Sequence, residues 1–176
     1  MSDLTTLLNT IPEIQDQLTL FTDAASATAA LSSENRDWVL WASLHAMRDK
    51  PLIEWAKKQY PEPLEAVKRG VLIASSRMAV TNPYFMASNI QPLQAGGSLE
   101  DLSMRPFSEL QVQNTCGYHY ACIAISVVNG GFVCYNSHLH SLRQEGESDT
   151  AIDQALRMVA SLSSIRQSIF NADWLI

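Results

Sequence analysis

A cysteine and a histidine stand four residues apart in the stretch NGGFVCYNSHLH, from Asn129 to His140. If a helix begins at Gly131, Cys134 lies in its first turn, where unpaired backbone N–H groups and the helix dipole stabilise a thiolate. His138 then lies one helical turn further along the same face, where its imidazole can accept or return a proton. The spacing therefore permits a nucleophilic thiol with a proton partner.

Ordinary packing explains the same spacing. A buried cysteine behaves as a small apolar residue, and a buried histidine commonly hydrogen bonds to a backbone carbonyl. The pattern Cys-x-x-x-His alone does not decide between a reactive thiol and two core positions.

A second histidine, His119, lies in a segment that is predicted to be a buried helix. It is expected either to face the same cavity as Cys134 or to be a hydrogen-bonded core residue. The residues that could supply nitrogen and sulfur ligands are Cys116, His119, Cys122, Cys134 and His138. Their spacing matches no zinc-binding pattern, so we predict neither a metal site nor a cofactor.

The elements that hold these residues are predicted to be α-helices, because apolar residues recur about every 3.6 positions and strand-like alternation is nearly absent. We predict an all-α fold with one domain over residues 1–176. It would consist of two similar helical halves, 1–94 and 107–176, and the second half would carry the cysteine–histidine motif. The loop between Ala95 and Pro106 would connect the halves.

Caps and breakers predict where helices begin and end. Ser33 is expected to cap a helix that ends near Asp49. Asn82 or Pro83 is expected to start another, because Asn satisfies free N–H groups and Pro fits a first helical turn.

In the last third of the chain, glycines and a serine mark further boundaries. A helix is predicted from about Gly131 to Glu145, closed by Gly146, and Ser148 is predicted to cap the next. A separate final helix is expected to carry Leu162, Ile165 and Ile169. His140 is expected at the surface or at a subunit interface.

Composition excludes several classes of protein. Twelve Lys and Arg against eighteen Asp and Glu give a net charge of −6, which argues against a nucleic-acid partner. No apolar run has the eighteen or so residues of a membrane span, and no signal-peptide pattern is present, so a cytoplasmic protein is predicted. Three cysteines, an odd number, favour free thiols over a disulfide framework.

With these residues identified, the chain resembles the alkyl hydroperoxidase D (AhpD) family, relatives of the carboxymuconolactone decarboxylases. The resemblance covers most of the chain through MAVTNPYFM (78–86), LEDLSMRP (99–106), SVVNGGFVCYNSHLHSLRQEG (126–146) and AIDQAL (151–156). The family pattern is Ile-Asn-Gly-Cys-x-x-Cys-x-x-x-His-x-His. Its matching positions here are Asn129, Gly130, Cys134, His138 and His140.

Two positions depart from that pattern: the first motif cysteine is Gly131, and the family's proton-relay glutamate is His119. The resemblance implies an all-helical fold, usually a homotrimer. It also implies reduction of organic hydroperoxides and recycling of the peroxiredoxin AhpC through a lipoylated adaptor. In this family the cysteine at the position of Cys134 attacks the peroxide, and the first motif cysteine resolves it into a disulfide.

These departures leave three hypotheses open. In the first, Cys134 is the peroxidatic nucleophile, His138 its proton partner and His119 the substitute for the acid; Cys122, Cys116 or an external thiol then resolves the sulfenic acid. In the second, the scaffold has lost redox catalysis and binds a ligand or a partner protein. In the third, His119 and His138 serve a thiol-independent decarboxylase-like lyase, although no substrate-anchoring arginine is visible near the motif.

Overall fold

The described part of the chain is helical. The structure, a computed structural model, describes residues 8–26 and 30–175. From Pro12 onward these residues form 3-10 helices at Pro12–Ile14 and Phe107–Leu110 and the α-helices α1 (Gln15–Ala24), α2 (Ser33–Met47), α3 (Lys50–Gln59), α4 (Glu65–Ile90), α5 (Thr115–Asn129), α6 (Phe132–Gln144) and α7 (Asp149–Leu175). No strand occurs in these ranges, which confirms the predicted all-α class. None of the described helices has both the length and the hydropathy that crossing a membrane requires.

Helices α2 and α5 form the centre of the packing, and α4, α6 and α7 pack around α5. Trp38 of α2 is 1% exposed and lies against two glycines, Gly70 of α4 and Gly117 of α5. A Cβ atom on either glycine would overlap the indole ring. The absence of side chains there lets the three helices approach closely, which fixes the position of α5, the helix that carries His119.

The start of α2 lies one residue from the predicted position. The hydroxyl of Ser32, not Ser33, accepts a hydrogen bond from the backbone N–H of Asn35. Arg48 adopts a left-handed conformation that ends α2. This end agrees with the predicted end near Asp49, and Asp49 then caps α3 by accepting from the N–H of Leu52 at 2.9 Å.

The prediction that a helix starts at Asn82 or Pro83 was wrong, because α4 runs through both residues without a break. Pro83 is exposed and lies inside the helix. The side chain of Asn82 does not cap a helix. It is buried and hydrogen bonds to residues of α5, so tertiary contacts decide the conformation of this segment.

The boundaries of α6 agree with the prediction to within one residue, and Gly146 follows with a positive φ of 89°. Ser148 accepts a hydrogen bond from the N–H of Ala151, as expected of a cap. The prediction of a separate final helix was wrong, because α7 continues to Leu175. Its sequence has no Gly or Pro, and the hydroxyls of Ser161 and Ser163 donate to carbonyls of their own helix.

The segment between Ala95 and Pro106 is a loop, as predicted. Gly96 and Gly97 have positive φ angles of 77° and 98°, and the N–H of Gly97 donates to the hydroxyl of Tyr84 on α4. This bond attaches the loop to α4. The division of the chain into two halves at this loop stays a prediction; core side chains from both sides of it pack into one cluster.

Candidate active site

A cavity of about 360 Å³ lies where α4, α5, α6 and the loop before α5 meet. Most of the residues that line it are apolar or aromatic. The lining consists of Arg77, Met78, Thr81, Phe85, Leu99, Phe107, Tyr118, His119, Val133, Cys134, Ser137 and His138. The cavity therefore brings together the three residues that the sequence singled out as the reactive group, Cys134, His138 and His119.

Cys134 lies in the first turn of α6, at the position expected from the sequence. Gly130 has a φ of 70° and ends α5, and Gly131 precedes the first residue of α6. The N–H of Gly131 donates to the carbonyl of Ser126 at 2.8 Å, which makes the turn between the two helices compact. Cys134 is 7% exposed and borders the cavity, and it is the third residue of α6, in the turn whose backbone N–H groups have no partner within the helix.

His119 and His138 form a direct pair. Their Nδ1 atoms are 2.9 Å apart, so one ring donates a hydrogen bond and the other accepts it. The rings come from different helices, α5 and α6, and their centroids are 5.1 Å apart. Among the described residues the hydrogen bond of His138 goes to His119 and not to Cys134. The nitrogen of His138 that remains for exchange with a thiol or ligand is Nε2.

Burial lowers the pKa values of both histidines. The pKa of His138 falls from 6.5 to about 3 because of burial first, and then because of the neighbouring positive charges of His119 and Arg77. Burial also lowers the pKa of His119, and the opposite charge of Glu145 partly compensates for it. Both imidazoles are therefore neutral near pH 7, and His138 does not hold a thiolate as a permanent imidazolium.

Arg77 brings a positive charge to the cavity that the sequence motif did not reveal. It lies on α4, and its Nη1 donates to the backbone carbonyl of Arg105 at 3.0 Å. No arginine that could anchor a substrate is visible near the motif in the sequence, but α4 carries Arg77 to the cavity wall. In the sequence Arg77 directly precedes Met78, the first residue of the segment 78–86 that carries the family resemblance.

The other two cysteines lie in different surroundings, and all three thiols are free. Cys122 is fully buried, and burial raises its pKa, although a hydrogen bond with Tyr118 and the charge of Arg77 partly oppose that rise. Cys116 accepts a hydrogen bond from Asn35 and lies beside Glu147; burial first, and this carboxylate second, raise its pKa to about 12. Cys116 does not line the cavity.

Asn82 occupies the space next to Gly131, where the family pattern has its first cysteine. A Cβ atom at position 131 would lie 2.7 Å from the Cβ of Asn82 and would overlap its amide. The amide donates to Ser126 Oγ at 3.0 Å and accepts from Asn129 Nδ2 at 3.2 Å. A buried polar network thus fills the space of the missing side chain. The sequence predicted a helix cap at Asn82 and did not indicate this network.

Outside this cluster, His140 is exposed, as expected from its position two residues beyond His138. Within residues 8–26 and 30–175, no three or more His, Cys, Asp or Glu side chains are arranged to hold a metal ion. The cavity wall therefore carries a thiol, two neutral imidazoles and a guanidinium.

Comparison with known proteins agrees with the resemblance. The chain is 28% identical over 169 residues to alkyl hydroperoxide reductase AhpD of Mycolicibacterium paratuberculosis, covering 93% of this chain and 92% of that protein. It is 25% identical to the AhpD of Nocardia farcinica over 93% of this chain and 91% of the relative. The AhpD of Caulobacter vibrioides is 33% identical over 99 residues, 54% of this chain and 52% of that protein. No protein-family model matches the chain. The chain is thus similar to AhpD proteins along nearly its whole length, and these similarities support an AhpD-like family.

Proposed function

We propose that the chain reduces organic hydroperoxides at Cys134 and is regenerated by an external dithiol. The observation that carries this proposal is the position of Cys134 at the start of α6, in the wall of an apolar cavity that it shares with His119 and His138. The names of the similar proteins, alkyl hydroperoxide reductase AhpD, indicate the same chemistry.

In the oxidation step, the Cys134 thiolate attacks the terminal oxygen of the hydroperoxide. A sulfur–oxygen bond forms, the oxygen–oxygen bond breaks, and the sulfur is oxidised to a sulfenic acid. The other oxygen leaves as an alkoxide and takes up a proton to become the alcohol. The apolar wall suits the organic part of such a substrate, and the free N–H groups at the helix start favour the anionic sulfur.

The two histidines can move the protons of this step without a stable imidazolium. His138 Nε2 accepts the thiol proton while its Nδ1 proton passes to Nδ1 of His119, which releases its own Nε2 proton to water. The reverse shift then delivers the His138 Nε2 proton to the alkoxide. Such a relay needs an Nδ1–Nδ1 hydrogen bond between two neutral rings, and the observed 2.9 Å contact and the lowered pKa values support it.

Regeneration requires a thiol from elsewhere, because Gly131 has none. One sulfur of a reduced dithiol displaces water from the sulfenic acid, and its second sulfur then releases Cys134 and closes the disulfide. A lipoylated adaptor that serves an AhpC-type peroxiredoxin would supply this dithiol, and the working assembly would be a homotrimer. Cys122 and Cys116 are the internal candidates for a disulfide with Cys134; neither lines the cavity, and Cys116 lies beside Glu147.

Turnover of cumene hydroperoxide with dihydrolipoamide tests this function. We expect the parent to consume the peroxide, Cys134→Ser to be inactive and Cys116→Ser to retain the parent rate. Cys122→Ser should also turn over if the external dithiol is the main reductant. Equal rates for the parent and Cys134→Ser, or none in either, would exclude the proposal.

A ligand-binding protein without redox turnover is the second candidate, and the Asn82 network favours it. The side chain of Asn82 fills the space that a cysteine at position 131 would need. A binding protein would show a ligand-dependent rise in melting temperature that survives Cys134→Ser, together with no peroxide consumption. Thiol-dependent turnover would exclude this candidate.

A further inference from the structure

The cavity carries a single permanent charge, which is positive. Arg77 is the one lining residue with a permanent charge, and no carboxylate is among the residues that line the cavity. Within the described ranges no Asp or Glu forms an ion pair with Arg77, and its hydrogen bonds go to two neutral groups, the backbone carbonyl of Arg105 and the side chain of Tyr118. The two histidines are neutral at physiological pH. The cavity is therefore positively charged at one point and apolar around it.

The field of Arg77 reaches the reactive groups. After burial and His119, the charge of Arg77 contributes to the lowered pKa of His138, and it partly opposes the rise that burial causes in the pKa values of Tyr118 and Cys122. Three neighbours on two helices thus experience the same cation. An anion that enters the cavity would meet this charge close to Cys134, which borders the same space.

The geometry of the guanidinium indicates which kind of anion would bind best. The Arg105 carbonyl and the Tyr118 side chain use part of the hydrogen-bonding capacity of Arg77, and the remaining N–H groups of the planar guanidinium fork are left for a ligand. A carboxylate matches that fork with two parallel hydrogen bonds, and charge-assisted bonds of this kind are about twice as strong as neutral ones. The aromatic and aliphatic lining, with Phe85 and Phe107 among its members, would bury the remainder of the molecule.

We propose that the substrate is a small organic hydroperoxide that also bears a carboxylate, with Arg77 binding the carboxylate, the apolar wall binding the carbon skeleton and Cys134 receiving the peroxide group. This inference rests on the proposed function and names its substrate class. Arg77 is a specificity-determining residue, and the bond changes at sulfur and oxygen are those given above, with the external dithiol as the reductant. The volume of about 360 Å³ is near the lower end of small-molecule pockets, which suits a compact aromatic or short-chain acid.

A matched pair of substrates tests the inference: cumene hydroperoxide and its para-carboxylated analogue, which share a skeleton and differ in one ionised group. We expect the parent to prefer the carboxylated peroxide in kcat/KM by roughly 10- to 100-fold, the range of a charge-assisted hydrogen-bonded pair. Arg77→Gln should bring the ratio of the two values close to one, mainly through KM. Arg77→Lys, which keeps the charge and loses the fork, should retain part of the preference.

Arg105→Gln is the control, because Arg105 contacts Arg77 through its backbone carbonyl and its side chain is exposed. It should leave the substrate ratio at the parent value. A parent that treats both peroxides alike, or a ratio that Arg77→Gln does not alter, would overturn the assignment while the proposed peroxide reduction stands.

Binding of a non-oxidising ligand separates the two proposals. Calorimetry with 4-isopropylbenzoate should show binding that weakens roughly tenfold or more in Arg77→Gln, and isopropylbenzene should not show this dependence. Binding with this pattern and no turnover of either peroxide would support the carboxylate site and exclude the proposed function. No binding and no turnover would overturn both.

Discussion

At the scale of single residues, the site depends on a histidine pair whose pKa values are lowered by burial. The two rings share one hydrogen bond between Nδ1 atoms, so they exchange a proton most easily when both are neutral. The sequence identified His119 and His138 as the residues of interest. It did not reveal that they contact each other, because they lie on different helices whose packing brings the rings together.

The histidine pair predicts a particular loss of stability in acid. The folded pKa of His138 is about 3, against 6.5 for an ordinary histidine. As the pH falls below about 6.5, the unfolded chain binds a proton at this residue and the folded chain does not. The free energy of unfolding therefore decreases until about pH 3. Across this window the free energy of unfolding of His138→Gln should fall less steeply with decreasing pH than that of the parent. The two slopes should differ by up to about 1.4 kcal/mol per pH unit.

Denaturant titrations at several pH values measure this difference. His140→Gln is the matched control, because His140 lies on the same helix with an exposed side chain, and it should follow the parent. Parallel pH dependence of the parent and His138→Gln would contradict a buried neutral ring.

The glycine at the position of the missing cysteine allows a second residue-scale prediction. Gly131 has a φ of −84°, which any side chain can adopt, so the obstacle to a cysteine there is the contact with Asn82 and not the backbone. Gly131→Cys should destabilise the reduced protein by about 1–3 kcal/mol. The double variant Gly131→Cys/Asn82→Ala should lose less stability than the two single variants lose together, because the shortened side chain at position 82 relieves the overlap.

Gly131→Ala controls for the added Cβ atom without a thiol and should lose about as much stability as Gly131→Cys. Chemical denaturation under reducing conditions gives the free energies of unfolding of the parent, of the three single variants and of the double variant. Strict additivity of the two changes would show that Asn82 is not the obstacle. Simple restoration of the family's cysteine is therefore expected to be insufficient for a stable Cys-x-x-Cys site.

At the scale of helices, local sequence signals predicted where a helix begins or ends better than they predicted whether a long helix continues. The caps and glycines around α6 and the start of α7 were confirmed because each acts through its own backbone neighbours. The predictions failed at Pro83 and within α7, where packing along a long helix outweighs a local breaker or a run of serines. Arg77 was missed for the same reason, since its place in the cavity depends on how α4 packs against α5 and α6.

Pro83 offers a test of this interpretation. A proline inside a helix removes one backbone hydrogen bond and typically costs about 3 kcal/mol relative to alanine. Because α4 continues through an exposed Pro83, Pro83→Ala should raise the free energy of unfolding by about 1–3 kcal/mol.

Thermal and denaturant unfolding measure the effect of this change. Ser76→Ala, at another exposed position of the same helix, is the control and should change stability by no more than about 0.5 kcal/mol. A loss of stability in Pro83→Ala would indicate that a helix boundary at this residue is needed after all.

At the scale of the whole molecule, the sequence predicted the all-helical class and the family, and the long-range packing supplied the chemistry of the cavity. Periodicity along each segment is a local property, so the helices could be expected from the sequence. The convergence of α4, α5 and α6 on one cavity is not local, and it alone joins Arg77 to Cys134 and the histidine pair. The same convergence sets Asn82 against Gly131 and so separates this chain from the full motif of its family.

Trapping of a sulfenic acid at Cys134 tests the central claim most directly. The parent would be exposed briefly to cumene hydroperoxide in the presence of dimedone and its peptides mapped by mass spectrometry. We predict a dimedone adduct on Cys134, none on Cys116 or Cys122, and slower labelling in His138→Gln. An unmodified Cys134 after peroxide exposure, or equal labelling of all three cysteines, would contradict the account.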